Sequence, residues 1–548
     1  MNNLQATAGE GILDGPLFAT SSRRRGWIRA GVIFLAAVYL AALSPFWWIG
    51  HDSALYLTLA GNLISGEGYT LAGLPHTHVP PGFPLMLAGL MKIGAGGFLA
   101  MNLLMCAMGL ATLVLTYLLL RRMVHPDWAF VMTVVLGLSY EMLQRSGEIL
   151  SDVPFMLLLT AALLLYYRGL SSSKPAWGTW ELASLLLIAS CWFRAAGLPL
   201  VVGAAIGLVL AGRRKSAIRA AVNAAAILVI LAICSFLAWG YLKAHSQPAA
   251  GSYAGTVQRV LAARSIPDML AETMQHFYAA SGQISRLLIV QRLPLWLCMI
   301  LWVVPIAWGM IQRLRRGDFI GPAVVLVYVA GLSAASPIPR TRYFLPIAAL
   351  LILYLAEGWG WLIGRAARRP AAASGVLLGL MIVLAACNLP LVGRNIYEKH
   401  RSDAFASQQG GKWRDHIAAA EYLSRLAPID GNVLAELPVG YLAGVGCPAL
   451  STAVVDHPPG AEGLGELLDR WKIAYVVISS RKPTPLEAAL EKLLEPQGPP
   501  ALTHGDMRLY RVYPAKIEAP AANRPNGLPQ SQEPTAQTKT ATTKVFSP

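Results

Sequence analysis

The sequence predicts a polytopic α-helical membrane protein of about eleven transmembrane helices, followed by a small C-terminal α/β domain. Three observations carry that prediction. Of the residues, 55% are apolar and only 14% charged, a balance that a water-soluble globule of this length would not keep. Apolar runs suited to crossing about 30 Å of hydrocarbon as helix recur over the first 392 residues. After Trp413 the chain changes character, and short strand-like runs alternate with helical ones.

The apolar runs fall at 27–49, 97–120, 127–143, 151–168, 180–197, 198–212, 220–242, 293–312, 319–337, 343–364 and 371–392. The first is too long for a signal peptide and no small-residue cleavage site follows it, so it is expected to stay as a span behind a tail of residues 1–26. Basic residues gather at alternate loops: Arg23, Arg24 and Arg25, then Arg121 and Arg122, Arg168 and Lys174, Arg213 to Lys215, Arg313 to Arg316, and Arg365 to Arg369. These loops are therefore expected in the cytoplasm, with the N-terminus, and the other loops with the C-terminal domain on the opposite side. The net charge of +16 is accounted for by these short loops. No separate basic domain remains to grip a phosphate backbone, so nucleic acid is not an expected partner. The six cysteines form no CxxC metal pattern and no evident disulfide pair.

The first outer loop, 50–96, is expected to be structured. Leu55, Leu59 and Leu63 recur every four positions in an interfacial helix from His51 to Gly66. Pro80-Pro81-Gly82 then makes a turn into a second short helix, 83–93. Between 243 and 292, Met269, Leu270, Met274, Phe277 and Tyr278 mark another interfacial helix. The transmembrane part is taken as 27–392 and the α/β domain as 393–514, with helices at WRDHIAAAEYLSRLA, GELLDRW and PLEAALEKLLE and strands at NVLAEL, IAYVVIS and MRLYRVY. Residues 515–548, rich in Pro, Ala, Thr, Gln and Asn, are expected to be disordered.

Charges inside or beside the spans carry the functional reading, because each is costly there. Asp52 follows the first span and reads either as a helix N-cap, contributing about 1 kcal/mol, or as a working acid; its place at the bilayer edge favours the second. Glu148 and Asp152 would share one face if helical. Such a pair suits a divalent metal ion, a cationic or hydroxyl partner, or a cap. Arg194 interrupts the fifth span and needs an anion: Glu148, Asp152 or a lipid phosphate. Arg340, Arg342 and Tyr343, in SPIPRTRYFLP, stand where a phosphate could approach from the membrane or where arginines snorkel to headgroups. His76 and His78 could donate hydrogen bonds or ligate a metal, but no third ligand is near in sequence. Glu357, in span ten, reads as a structural pair.

HDSALYLTLAGNLISGEGY with Asp52, HVPPGFPLMLAGL, SGEILSDVPF, the Arg194 span and RTRYFLP together resemble the GT-C superfamily of polyprenyl-phosphate-sugar-dependent glycosyltransferases. The likeness is to bacterial relatives of protein O-mannosyltransferases and of the lipid A aminoarabinose transferase, and with the tail domain it covers 27 to about 512. It implies an inverting transfer of one sugar, on the extracytoplasmic side of the bacterial plasma (inner) membrane, from a polyprenyl-phosphate donor to a hydroxyl on a lipid, protein or glycan. By this resemblance Asp52 is the base, Arg194, Arg340, Arg342, Tyr343 and His78 face the phosphate, and Glu148 with Asp152 could hold a divalent ion, although no cofactor is required. The chain departs from these relatives twice. Protein mannosyltransferases carry adjacent acids where this chain has His51-Asp52, and the aminoarabinose transferase has Glu-Lys where this chain has His78-Val79, which argues against aminoarabinose. A secondary transporter of a lipid-linked or anionic substrate is the alternative; it predicts charges at mid-membrane and repeated halves, and neither pattern is visible in the sequence.

Overall fold

The computed structural model describes residues 11–17, 21–76, 79–171, 178–211, six positions between 222 and 233, 266–289, 293–335, 340–367, 370–401, 412–426, 428–447, 461–479 and 483–513. They form two compact units. The first comprises 1–48, 59–69 and 75–405; the second comprises 49–58, 70–74 and 406–548.

The first unit is helical. Five helices among the described residues are long and apolar enough to cross a membrane: Phe98–Leu120, Asp152–Ser171, Leu295–Arg315, Thr341–Ala366 and Ala371–Lys399. Shorter apolar helices include Gly82–Lys92, Pro126–Gly137, Thr179–Phe193 and Gly197–Ala211. Ile33, Val114, Val376 and Ile382 are exposed, as expected of side chains whose solvent is hydrocarbon. Inside the bundle, small residues let helices approach. A Cβ on Gly309 would strike the backbone of Tyr354, and one on Gly358 the backbone of Pro305, so these two glycines seat Leu295–Arg315 directly against Thr341–Ala366.

Several expected boundaries move. The first helix, Ser21–Ala41, stops short of 49 because Ser44-Pro45 cannot continue it. The run 127–143 is broken after Gly137, where the Ser139 hydroxyl accepts the Met142 N–H at 3.3 Å and starts a new short helix, Tyr140–Arg145. The last helix runs on from 392 to Lys399. The run 220–242 lies mostly outside the described residues. The helix expected at the interface near 269–278 exists as Ile266–Ile289. Its second half is core, with Ala280, Ile284, Leu287 and Leu288 buried.

Residues 11–17, read as tail, are packed into the bundle. Leu13 is buried and its carbonyl accepts the His125 N–H at 3.0 Å, while the Leu17 N–H donates to Asp127 Oδ2 at 2.9 Å. Asp14 reaches Arg316 at 3.8 Å, and Arg316 reaches Glu357 at 3.4 Å. Glu357 is also paired with Arg313, the structural pairing expected of it.

The second unit contains a small hairpin, β1 (Thr70–Leu71) with β2 (Leu74–Pro75), and a four-stranded sheet. Strand β3 (Asn432–Leu434) lies parallel to β4 (Ile473–Ser479); β4 is antiparallel to β6 (Met507–Arg511), which pairs with β5 (Leu502–His504). Both faces are covered, and the two-residue period shows it: Leu434, Val476 and Ile478 enter one apolar cluster, Val433 and Val477 the other. The helix Pro485–Leu494 begins with a capping box, in which Thr484 Oγ1 accepts the Glu487 N–H at 3.2 Å and Glu487 Oε2 accepts the Thr484 N–H at 2.7 Å. The three strands and three helices expected here are present. Strand β5 and the helix Leu437–Ala443 were not foreseen, both being too short for a periodic signal.

Candidate active site

Within the first unit, the breaks between helices gather charges that the sequence scatters. The chain leaves Tyr140–Arg145, turns through 146–151, and enters the next helix at Asp152. Glu148 therefore lies in the turn, and the one-helix face expected for Glu148 and Asp152 is not formed. Each carboxylate is buried, at 2% and 1% exposure, and each has its own guanidinium. Arg145 NH1 is 2.5 Å from Glu148 Oε2, and Gln144 Nε2 donates to Glu148 Oε1 at 2.8 Å. Arg145 also reaches Glu141 Oε2 at 3.3 Å. Asp152 Oδ2 meets Arg194 NH1 at 2.6 Å. A carboxylate is kept in an apolar bundle only when paired in this way.

Arg194 does not interrupt a helix. It ends one: Thr179–Phe193 stops at it, its backbone is extended (φ −150°, ψ 132°), and Gly197–Ala211 starts three residues later. From the break the side chain reaches both Asp152 and the ring of Tyr343, whose centroid is 5.7 Å from the guanidinium carbon. Arg342 stands 5.4 Å from the same centroid. Two cations thus share one aromatic ring. That ring is held by the 3-10 turn Thr341–Ile347, by Tyr328 Oη donating to the Tyr343 carbonyl at 2.7 Å, and by Thr341 Oγ1 donating to Gln283 at 2.7 Å. Arg340, the residue before the turn, is exposed.

The Pro-Pro-Gly turn belongs to the same neighbourhood. A Cβ on Gly82 would sit 2.6 Å from the Trp192 carbonyl oxygen, so only glycine lets the helix Gly82–Lys92 begin against the end of the helix that Arg194 closes. His76 closes the hairpin before that turn: its N–H donates to Tyr69 O at 2.9 Å, and its Nε2 accepts the Val79 N–H at 3.3 Å. His78 lies outside the described residues.

Arg145, Glu141, Gln144 and Lys399 were missed by the sequence reading. Two of them had a signal: Glu141 and Arg145 stand at the four-residue spacing of an ion pair on a helix face. Lys399 is fully buried beside Gly147, where a Cβ would collide with its ammonium. Glu148 and Asp152 each face an arginine, and among the described residues no group of three His, Cys, Asp or Glu suited to a metal occurs.

Asp52 belongs to the second unit. The helix His51–Ser65 begins one residue before it, so Asp52 lies in the first turn rather than at the cap. It is half-buried. Gly50 closes that turn, its carbonyl accepting the Ala54 N–H at 3.0 Å and the Ser53 hydroxyl at 2.9 Å.

The fold is that of the GT-C superfamily of membrane-embedded glycosyltransferases, to which the matching family model and the solved structures described here all belong. Residues 78–239 match the model for dolichyl-phosphate-mannose-protein mannosyltransferase. ArnT from Cupriavidus metallidurans in the apo state is similar with a TM-score of 0.53 at 14% identity, covering 91% of this chain and 100% of that one. The same protein bound to undecaprenyl phosphate gives 0.52 at 15%, covering 90% and 99%. The archaeal oligosaccharyltransferase AglB from Archaeoglobus fulgidus, in complex with an inhibitory peptide and a dolichol-phosphate, gives 0.54 at 13%, covering 83% and 70%. No curated protein matches the chain.

Proposed function

We propose that the chain is an inverting glycosyltransferase that moves one sugar from a polyprenyl-phosphate donor to a hydroxyl acceptor on the extracytoplasmic side of the membrane. The observation that carries this reading is the pairing of Asp152 with Arg194 under a tyrosine ring shared with Arg342, in a chain with the GT-C fold. The buried acid holds one guanidinium in place, and the shared ring holds both cations together. A phosphate that leaves with an extra negative charge needs such preorganised donors. Support also comes from ArnT, solved with undecaprenyl phosphate, and AglB, solved with a dolichol-phosphate.

In this reading Asp52 takes the proton of the acceptor hydroxyl as its oxygen attacks the anomeric carbon. The new oxygen–carbon bond forms on the face opposite the phosphate, the bond from that carbon to the phosphate oxygen breaks, and its electron pair leaves with the lipid phosphate. The configuration inverts. Arg194 and Arg342 meet the phosphate, and exposed Arg340 guides it in. Glu148 acts behind them, through Arg145.

The test uses membranes containing the full chain and a panel of radiolabelled undecaprenyl-phosphate sugars. Wild type is expected to transfer label from at least one donor with release of undecaprenyl phosphate, and Asp52→Asn to lose transfer while accumulating normally. Equal transfer by Asp52→Asn removes the assignment of the base. Movement of intact substrate across proteoliposomes, with no label transferred, replaces the enzyme with a transporter.

A further inference from the structure

The second unit contains an ion pair that the proposed reaction has not used. His51 Nε2 lies 2.6 Å from Glu436 Oε2. His51 opens the helix that carries Asp52; Glu436, far away in sequence, lies between β3 and the helix Leu437–Ala443. The His51 ring is also 5.8 Å from the ring of Trp413, whose own ring lies 5.4 Å from that of His416 at a tilt of 57°, and both Trp413 and His416 are buried. Two elements of the α/β domain, the turn after β3 and the helix Lys412–Leu426, thus touch the imidazole of one loop residue. A third contact supports the arrangement: a Cβ on Gly446 would lie 3.7 Å from Ala72, in the β1–β2 hairpin of the first loop.

We propose that Glu436 and His51 form a positioning pair through which the C-terminal α/β domain fixes Asp52 for its work as base. This rests on the reading of Asp52 given above. Asp52 follows His51 directly in a helical turn that Gly50 closes, so the backbone that the imidazole anchors also places the carboxylate. Misplacing a reacting group by about 1 Å costs around a hundredfold in rate. The pair also gives a physical reason for histidine at position 51, where the protein mannosyltransferases that the chain resembles carry an acid. A carboxylate there would confront Glu436 with like charge, whereas an imidazole brings it a neutral or positive partner. The domain is thereby part of the reaction's machinery, and neither His51 nor Glu436 touches the sugar.

The test is a double-mutant cycle in the full-length protein. It uses His51→Ala, Glu436→Ala and the double variant, with Glu436→Gln as the conservative change that keeps an oxygen facing the imidazole. Transfer is measured with the undecaprenyl-phosphate sugar that serves wild type, and undecaprenyl phosphate alone is the ligand for thermal-shift binding. We expect each alanine variant to lower kcat about tenfold to a hundredfold, with the donor KM and the undecaprenyl phosphate shift unchanged. The double variant is expected to be no slower than either single one, and Glu436→Gln to fall between Glu436→Ala and wild type. Losses that multiply in the double variant, wild-type kcat in Glu436→Ala, or a loss of phosphate binding and melting temperature parallel to kcat would each overturn the positioning role. Failure of wild type with every donor instead defeats the underlying glycosyltransferase reading, and this proposal with it.

Discussion

Two buried ionic nodes occupy the same helical bundle, and they are built differently. In the node of Arg313 and Glu357 both partners are sealed, with side chains 7% and 4% exposed. Arg313 spends a further N–H on the Met123 carbonyl at 3.0 Å. In the node of Glu148 and Asp152 the acids are as deeply buried, at 3% and 2%, but their arginines are not: Arg145 is 17% and Arg194 15% exposed. At the first node the more exposed Arg316, 33%, is held between Asp14 at 3.8 Å and Glu357 at 3.4 Å, so that node is closed by acids of the protein. The second sets a carboxylate behind each guanidinium and leaves both arginines partly exposed; at Arg194 this is the layout on which the proposed phosphate contact rests. Buried ion pairs as such say little about function.

The contrast can be broken most severely at Arg194. Arg194→Ala should reduce transfer by at least about a hundredfold and destabilise the protein by about 3–5 kcal/mol, because Asp152 is left buried without its partner. Radiolabel transfer and thermal unfolding both read the effect. Adding Asp152→Asn to Arg194→Ala should recover much of the stability and none of the activity. Glu357→Gln should destabilise by a similar few kcal/mol, yet leave the undecaprenyl phosphate affinity of the remaining folded protein at the wild-type value; a fall in that affinity would show that the closed node is not merely structural. Tyr343→Leu should weaken undecaprenyl phosphate binding about threefold to tenfold, in proportion to a cation–π contact of roughly 1 kcal/mol, and Tyr343→Phe should weaken it less. The smallest effect belongs to the second unit. Burial pushes the Cys447 thiol up to about 12, so it should resist iodoacetamide at pH 8 until urea unfolds the domain. Because the unfolded thiol ionises near its ordinary 9.0, the domain should lose stability as pH rises from about 9 toward 12 and be unaffected below that window.

Much of this was legible because hydrocarbon makes charge conspicuous. Asp152, Arg194, Arg342 and Tyr343 stand out in or beside apolar runs, and the structure brings them together. Arg145 was passed over because it follows an apolar run that reads as one span, and the Ser139 cap that splits the run is a single hydroxyl. Lys399 is hidden for a different reason. Polar residues begin after 392 and read as the end of the last span, although Asn395 and Lys399 stay on the buried face while Arg394 and Glu398 pair at 2.5 Å on the other. A helix can turn amphipathic without ending. The His51–Glu436 contact had no local signal, since nothing in either segment names a partner so distant along the chain.

The clasp of residues 11–17 bears on how the protein is made. Leu13 and Asp14 are made long before Arg316, which receives Asp14, and before Gly360 and Gly364, against which Ile12 lies. The segment therefore takes its final place only after those later helices have been made. Its closure is a late step of biogenesis, after which residues 11–17 tether helices that follow them at long range in the sequence.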